Sequence, residues 1–392
     1  MKKLIIPVLS AAVLFTASCS KKESTVVPTV TEQKVPYASL TSSTNYLTTF
    51  VDESGKSTVD FSGQTTRTMM FSELDAYIKT GNTAAISAAK MKDMFENKNS
   101  PFADAALNSA TDKVIASKTA GSFSAAEADA ERQTFIGYFN ELERISALNG
   151  QPAEQGKAGM LGGKRLVDEK GFEYGQFFQK GLMGALMLDQ ISNVYLGADK
   201  QSADNTVKAE GRNYTALEHH WDEAYGYLTK NEVFPKQDPA DATKYLESFL
   251  GGYVRQVNAN VGGDPEGIFL AFLKGRAAIV NNDMATRDEQ IAYLRTNLEK
   301  AVATVAVSYL NKGMKSTDAA AKFHELSEGA GFIYSLRYGY NAKINRTKSD
   351  ELLNMLKGGK DGFWSLTKAE IEKVRDEIAG AFGIDKTTEV NH

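Results

Sequence analysis

Residues 124–149, SAAEADAERQTFIGYFNELERISALN, read as one amphipathic helix. Phe135, Phe139, Leu142 and Ile145 recur at spacings of four, three and three, which puts them on one face of a 3.6-residue repeat. Ser124 followed by Glu127 is a capping-box start. Downstream, 172–196 is strongly apolar, with Phe177, Leu182, Leu186 and Ile191 recurring as in a buried helix. The same spacing predicts helices over 66–79, 84–98, 102–118, 210–229, 241–259, 265–281, 287–311, 317–338, 347–357 and 367–382. Thr367 and Glu370 repeat the capping-box pattern. Strand signals are few. Lys164–Val167 is expected to pair briefly, and a short hairpin is expected around Glu53–Lys56. About a dozen helices with short connections predict an all-α, multi-helix bundle rather than an α/β sheet.

The chain has 392 residues, 42% apolar and 24% charged, which is ordinary globular composition. That length exceeds what one core usually holds, so either a long bundle or two helical subdomains, 61–200 and 201–392, are expected. A formal charge of −4 argues against nucleic acid as a partner, because a phosphate-binding surface needs clustered Lys and Arg. One Cys allows no intrachain disulfide and no Cys-based zinc site.

That Cys lies at the N-terminus. Lys2 and Lys3 precede a short apolar run, Leu4 to Phe15, then Thr16-Ala17-Ser18 and Cys19. Twelve residues cannot cross a hydrocarbon core of about 30 Å as a helix, but they suit the core of a secretory signal. Small residues before the lone Cys resemble a bacterial lipobox, which implies removal of 1–18 and acylation of Cys19. Losing Lys2 and Lys3 shifts the formal charge from −4 to −6. Acyl chains at about 0.8 kcal/mol per buried methylene would then supply the membrane attachment. Residues 19–60, with Pro28 and Pro36 and no helical period, are expected as a flexible tether.

Familiar catalytic motifs fail. Ala158 and Arg165 break the phosphate-loop pattern around Gly163-Lys164. There is no HExxH and no GxSxG. Ala216, Leu217 and Ala321 stand three before His219, His220 and His324, where a di-iron bundle needs Glu.

The candidate chemistry lies in two histidine clusters. In Glu218-His219-His220-Trp221-Asp222-Glu223, His220 falls on the apolar stripe of Leu217, Trp221 and Leu228, while His219 lies about 100° away. Glu223 can reach either ring. In the second cluster His324 and Glu328 are one turn apart. The two align as His-xxx-Glu-Ala/Gly-x-Gly-aromatic-aliphatic, and Lys180-Gly181 echoes Lys274-Gly275, as a duplicated helical unit would. Two imidazoles and a carboxylate can begin a site for iron or another divalent metal, given a fourth group from elsewhere. A His–Glu pair one turn apart is equally a plain helix-stabilising contact, worth about 0.2–0.5 kcal/mol.

The segments QKGLMGALMLDQI, EHHWDEAYGYL, FLKGRAAI and HELSEGAGFIYSLRY resemble those of a family of bacterial lipoproteins. That family is more distantly similar to the imelysins, which carry a GxHxxE motif on a helix of a duplicated bundle. His220 and Glu223 match its His and Glu, and Glu218 replaces its Gly. The resemblance implies a periplasmic or surface protein, lipid-anchored in the cell envelope and associated with iron or haem acquisition beside an outer-membrane uptake receptor. The alternatives are a metal-free interaction scaffold, with its His–Glu pairs purely structural, and a metal-dependent peptidase using Glu223 as base or ligand.

Overall fold

The computed structural model describes residues 33–391. The expected signal peptide 1–18, Cys19 and the first part of the expected tether lie outside them. From Lys34 onward the described residues form one compact unit. Among the described residues fourteen α-helices carry the fold, and the chain is an all-α bundle. They are α1 (Tyr46–Thr49), α2 (Ser62–Thr80), α3 (Ala88–Glu96), α4 (Ala105–Ser109), α5 (Ala125–Ser146), α6 (Tyr174–Leu182) and α7 (Ala198–Gln201). The later half adds α8 (Ala216–Leu228), α9 (Phe249–Gln256), α10 (Pro265–Val280), α11 (Met284–Lys315), α12 (Ala319–Leu336), α13 (Arg346–Lys357) and α14 (Lys368–Phe382). Two small antiparallel hairpins complete it. Gly159–Leu161 pairs with Arg165–Val167, where brief pairing is expected, and Gln237–Asp238 pairs with Asp241–Tyr245.

Helix starts follow their caps. Ser124, Thr215 and Thr367 each close a capping box, with Glu127, Glu218 and Glu370 reaching back to the cap amide. Several expected helices are shorter than their sequence period: 84–98 is helical over Ala88–Glu96, 210–229 over Ala216–Leu228, and two more are cut further. In 102–118 only Ala105–Ser109 is α-helical, started by Asp104. In 241–259 the first residues pair as a strand, and the helix begins at Phe249. The apolar run after α6 continues as π-helix through Met183–Leu188 and Gln190–Tyr195. Such wide turns are frequent at functional sites.

The expected tether differs from the structure over 34–60. Tyr46 and Phe50 are buried, Tyr46 stacks on Tyr225 at 4.1 Å, and the Val35 amide donates to Asn281. Aromatic burial, which needs no helical period, holds this segment on the body. Its hairpin is a single bridge, Val51 to Ser57.

At the centre, α11 and α12 pack against each other, with α10 beside α11 and α6 beside α12. Leu298–Leu310 and Leu326–Leu336 are buried on every face except at Lys300, as in helices surrounded by others. One apolar cluster runs from Leu40 to Val390, across the expected boundary near residue 200. Small residues set the spacing of the pairs. The Trp221 ring lies where a β-carbon on Gly275 would be, 2.0 Å away, so α8 and α10 meet only because position 275 is bare. Gly331 does the same for α12 against Lys180 and Phe177 of α6.

Gly275→Ala is therefore expected to destabilise the chain by about 1–3 kcal/mol. Gly137→Ala, in α5 with no outside atom within 4 Å of the added methyl, should stabilise it by up to about 1 kcal/mol. Urea unfolding midpoints check both signs.

Candidate functional site

The two histidine clusters form two separate networks. The first is built on α8 and centres on Glu223. Its Oε1 accepts hydrogen bonds from Gln64 of α2 and from the Tyr195 hydroxyl, each at 3.0 Å. Its Oε2 lies 3.1 Å from His220 Nδ1 and 3.9 Å from His219 Nε2. Tyr195 reaches Glu223 from the last turn of the π-helix, and Gly226 lets α2 close on α8 by leaving room for Phe61 and Gln64. Both rings are half-buried. His219 stacks on Tyr214 at 4.8 Å, and its Nδ1 is buried without a partner. Burial alone would raise the Glu223 carboxyl, but the His220 hydrogen bond, the His219 charge, Gln64 and Tyr195 together hold it below the usual carboxylate range.

Glu218 belongs elsewhere. Its Oε2 accepts the Thr215 amide in the capping box, and its Oε1 accepts from Arg276 Nη1 at 2.9 Å. Arg276, fully buried on α10, also donates to Asp222 Oδ1 at 3.0 Å. Tyr46 donates to that same oxygen. These bonds clamp α8 to α10.

The second network joins α6 to α12. Lys180 is 2% exposed, and its Nζ sits 2.8 Å from Glu328 Oε1. It also donates to the side-chain oxygens of Gln176 and Gln179. Burial alone would lower the Lys180 pKa, but the charge of Glu328 raises it above the ordinary value. Glu328 is held down in turn: burial raises it, while Lys180, His324 and the Tyr309 hydroxyl lower it further. His324 Nδ1 lies 2.8 Å from Glu173 Oε2, and its Nε2 lies 3.4 Å from Glu328 Oε1. Only a ring protonated on both nitrogens can donate to both carboxylates.

Lys180, His324 and Glu328 face an open cleft of about 470 Å³, lined also by Tyr253, Gln176 and Asp75. This is the size of a small-molecule site, which typically spans roughly 300–1,000 Å³. Its charged wall is fixed by hydrogen bonds rather than by loops.

The structure thus brings His219 and His220 to Glu223, and His324 to Glu328, in two networks with no residue in common among those named. Among the described residues no group of three or more His, Cys, Asp or Glu side chains is arranged to hold a metal ion. At His324 the reason is plain: its carboxylates sit on opposite ring nitrogens, so one ion cannot meet all three. Sequence reasoning misses Glu173, Gln64, Tyr195 and Tyr253 as partners. The signal for Lys180 is visible, a lone cation inside an apolar helix. The echo at Lys274 is displaced, because Arg276 is the cation that α10 buries.

Residues 47–385 match the family described as Domain of unknown function (DUF4856). No curated protein and no solved structure matches the chain.

Glu223 and Glu328 ionise below their ordinary 4.5 in the folded chain. Each therefore stabilises the fold above about pH 4.5, and that contribution is lost as pH falls through the lower folded values. Urea midpoints should drop on acidification below pH 4.5. Glu223→Gln should start lower at neutral pH and lose less on the way down.

Proposed function

The chain belongs to the DUF4856 family, and we propose that it is a lipid-anchored binding protein of the cell envelope, serving iron or haem acquisition beside an outer-membrane receptor. The observation that carries the binding role is the cleft of about 470 Å³ walled by Lys180, His324 and Glu328. A buried, fully bonded set of charges at a cleft wall presents fixed polar groups to a ligand with little reorganisation on binding. The leader and Cys19 support the anchor. Among the described residues no helix is long and apolar enough to cross a membrane. Resemblance to the imelysins supports iron as the cargo. The carboxylates of both networks are already bonded to protein donors, which favours iron arriving as haem or a chelate over a bare ion.

Calorimetry on the full chain in detergent tests this with haem, ferric citrate, ferrous iron and zinc. Binding of haem or ferric citrate is expected, weakened about tenfold or more by Glu328→Gln or His324→Ala. No heat with haem or ferric citrate overturns the iron reading. Heat unchanged in both variants overturns the cleft assignment.

The scaffold reading is favoured at the other network, because Glu223 is saturated by four groups from three parts of the chain. There His220→Ala should cost about 1–3 kcal/mol of stability and leave the ligand heats unchanged. A changed heat would tie that network to binding.

A further inference from the structure

A second cleft, of about 370 Å³, lies between the 168–172 turn, the first turn of α6 and the end of α13. Two opposite charges line it, and among the described residues neither has an ion-pair partner. Lys357, the last residue of α13, holds its Nζ over the rings of Phe172 and Phe177, 4.1 and 5.1 Å from their centres. Among the described residues no hydrogen bond or ion pair reaches that ammonium. Asp168 is 8% exposed. Its Oδ1 accepts the amides of Lys170 and Phe172 at 2.9 and 2.8 Å, which closes the turn. Its Oδ2 is left with no donor. The two side chains line one cavity, yet no ion pair joins them.

Asp168 is buried and Lys357 half-buried; charges withdrawn from water are normally paired, and here each is pushed toward its neutral form. Burial lowers the Lys357 pKa to about 8, against the opposing pull of Asp168. Burial likewise raises the Asp168 carboxyl, against the two amide bonds. The other charges at the mouth are already committed or lie in water. Arg144 holds Glu169 through two nitrogens and Glu141 through Nε, while Lys170 is exposed. The wall is built rather than incidental. Gly362, at φ +55°, has no room for a β-carbon against the Lys170 carbonyl, and the Phe363 amide donates to that carbonyl at 2.9 Å. Trp364 Nε1 donates to the Glu169 carbonyl at 3.1 Å. Phe172, Tyr174 and Phe363 supply the apolar lining.

A purely anionic guest would leave Asp168 unmatched, and a purely cationic one would leave Lys357 unmatched. We propose that this cleft binds a free α-amino acid with an aromatic or large apolar side chain. The carboxylate sits on Lys357, the ammonium on Asp168 Oδ2, and the side chain against Phe172 and Phe363. This site is independent of the cleft beside Lys180 and stands whether or not that one takes iron.

Calorimetry on the full chain with three probes tests it: L-phenylalanine, 3-phenylpropanoate and 2-phenylethylamine. L-Phenylalanine should bind, with each singly charged analogue about tenfold or more weaker. Lys357→Met should abolish the advantage of L-phenylalanine over 2-phenylethylamine. Asp168→Asn keeps an acceptor for the turn and should abolish its advantage over 3-phenylpropanoate. In the unaltered protein L-phenylalanine should also slow reductive methylation of Lys357, read by mass spectrometry, so the test does not depend on the variants folding. No heat with L-phenylalanine, equal affinity for all three probes, or a Lys357 methylation rate that L-phenylalanine leaves unchanged overturns the proposal.

Discussion

Lys180 sits inside QFFQKGLMGALML, residues 176–188, one of the most apolar stretches of the chain. An ammonium buried there has to be matched, because an isolated buried charge costs several kcal/mol even after relaxation. Glu328 matches it at 2.8 Å, and this one contact brings α6 onto α12 across 148 residues of sequence. The rest of the centre is arranged around that contact. Gly331 lets the backbones close, and the Ser335 hydroxyl on α12 accepts the Gly184 amide at 3.0 Å. His324 is held between Glu173 and Glu328. Removing either partner of such a pair typically costs about 3–5 kcal/mol, since the survivor stays buried and unpaired.

The same device appears at the other histidine helix with different parts. Arg276 of α10 replaces Lys180 of α6, and Asp222 with Glu218 replaces Glu328. In chain order α6 comes shortly before α8, and α10 shortly before α12. The packing crosses them over: α6 meets α12, and α10 meets α8. The two networks then divide the chemistry. Glu223 is enclosed by protein donors, while Lys180, His324 and Glu328 keep one side on a cleft.

Much of this was legible in the sequence, and the reasons differ by element. Helices α5, α10, α13 and α14 follow from apolar spacing and caps, which are local properties. The pairing of Glu223 with both histidines also follows locally, since three or four residues is one helical turn. What could not be read is tertiary. Tyr46 is covered by the distant ring of Tyr225, and Phe50 packs edge-on against Tyr46, so 34–60 looks like a tether until Tyr225 is seen beside it. Glu173 precedes its helix and meets His324 from 151 residues away. Glu218 has the residue type of a ligand, yet its two oxygens go to a cap and to Arg276. The π-helical turns Met183–Leu188 and Gln190–Tyr195 have the same apolar character as an α-helix, so nothing local distinguishes them.

The crossover of α6 and α12 also sets an order of events during synthesis. A ribosome releases Lys180 well before Glu328 exists, and Glu131 well before Tyr334 and Tyr338, the two hydroxyls that will donate to it. The nascent amino-terminal half therefore carries charges destined for burial with nothing yet to neutralise them. It cannot collapse profitably around them, and closure waits for the distant carboxy-terminal half. A chain wired this way can complete its central pairings only after the carboxy-terminal half has been made.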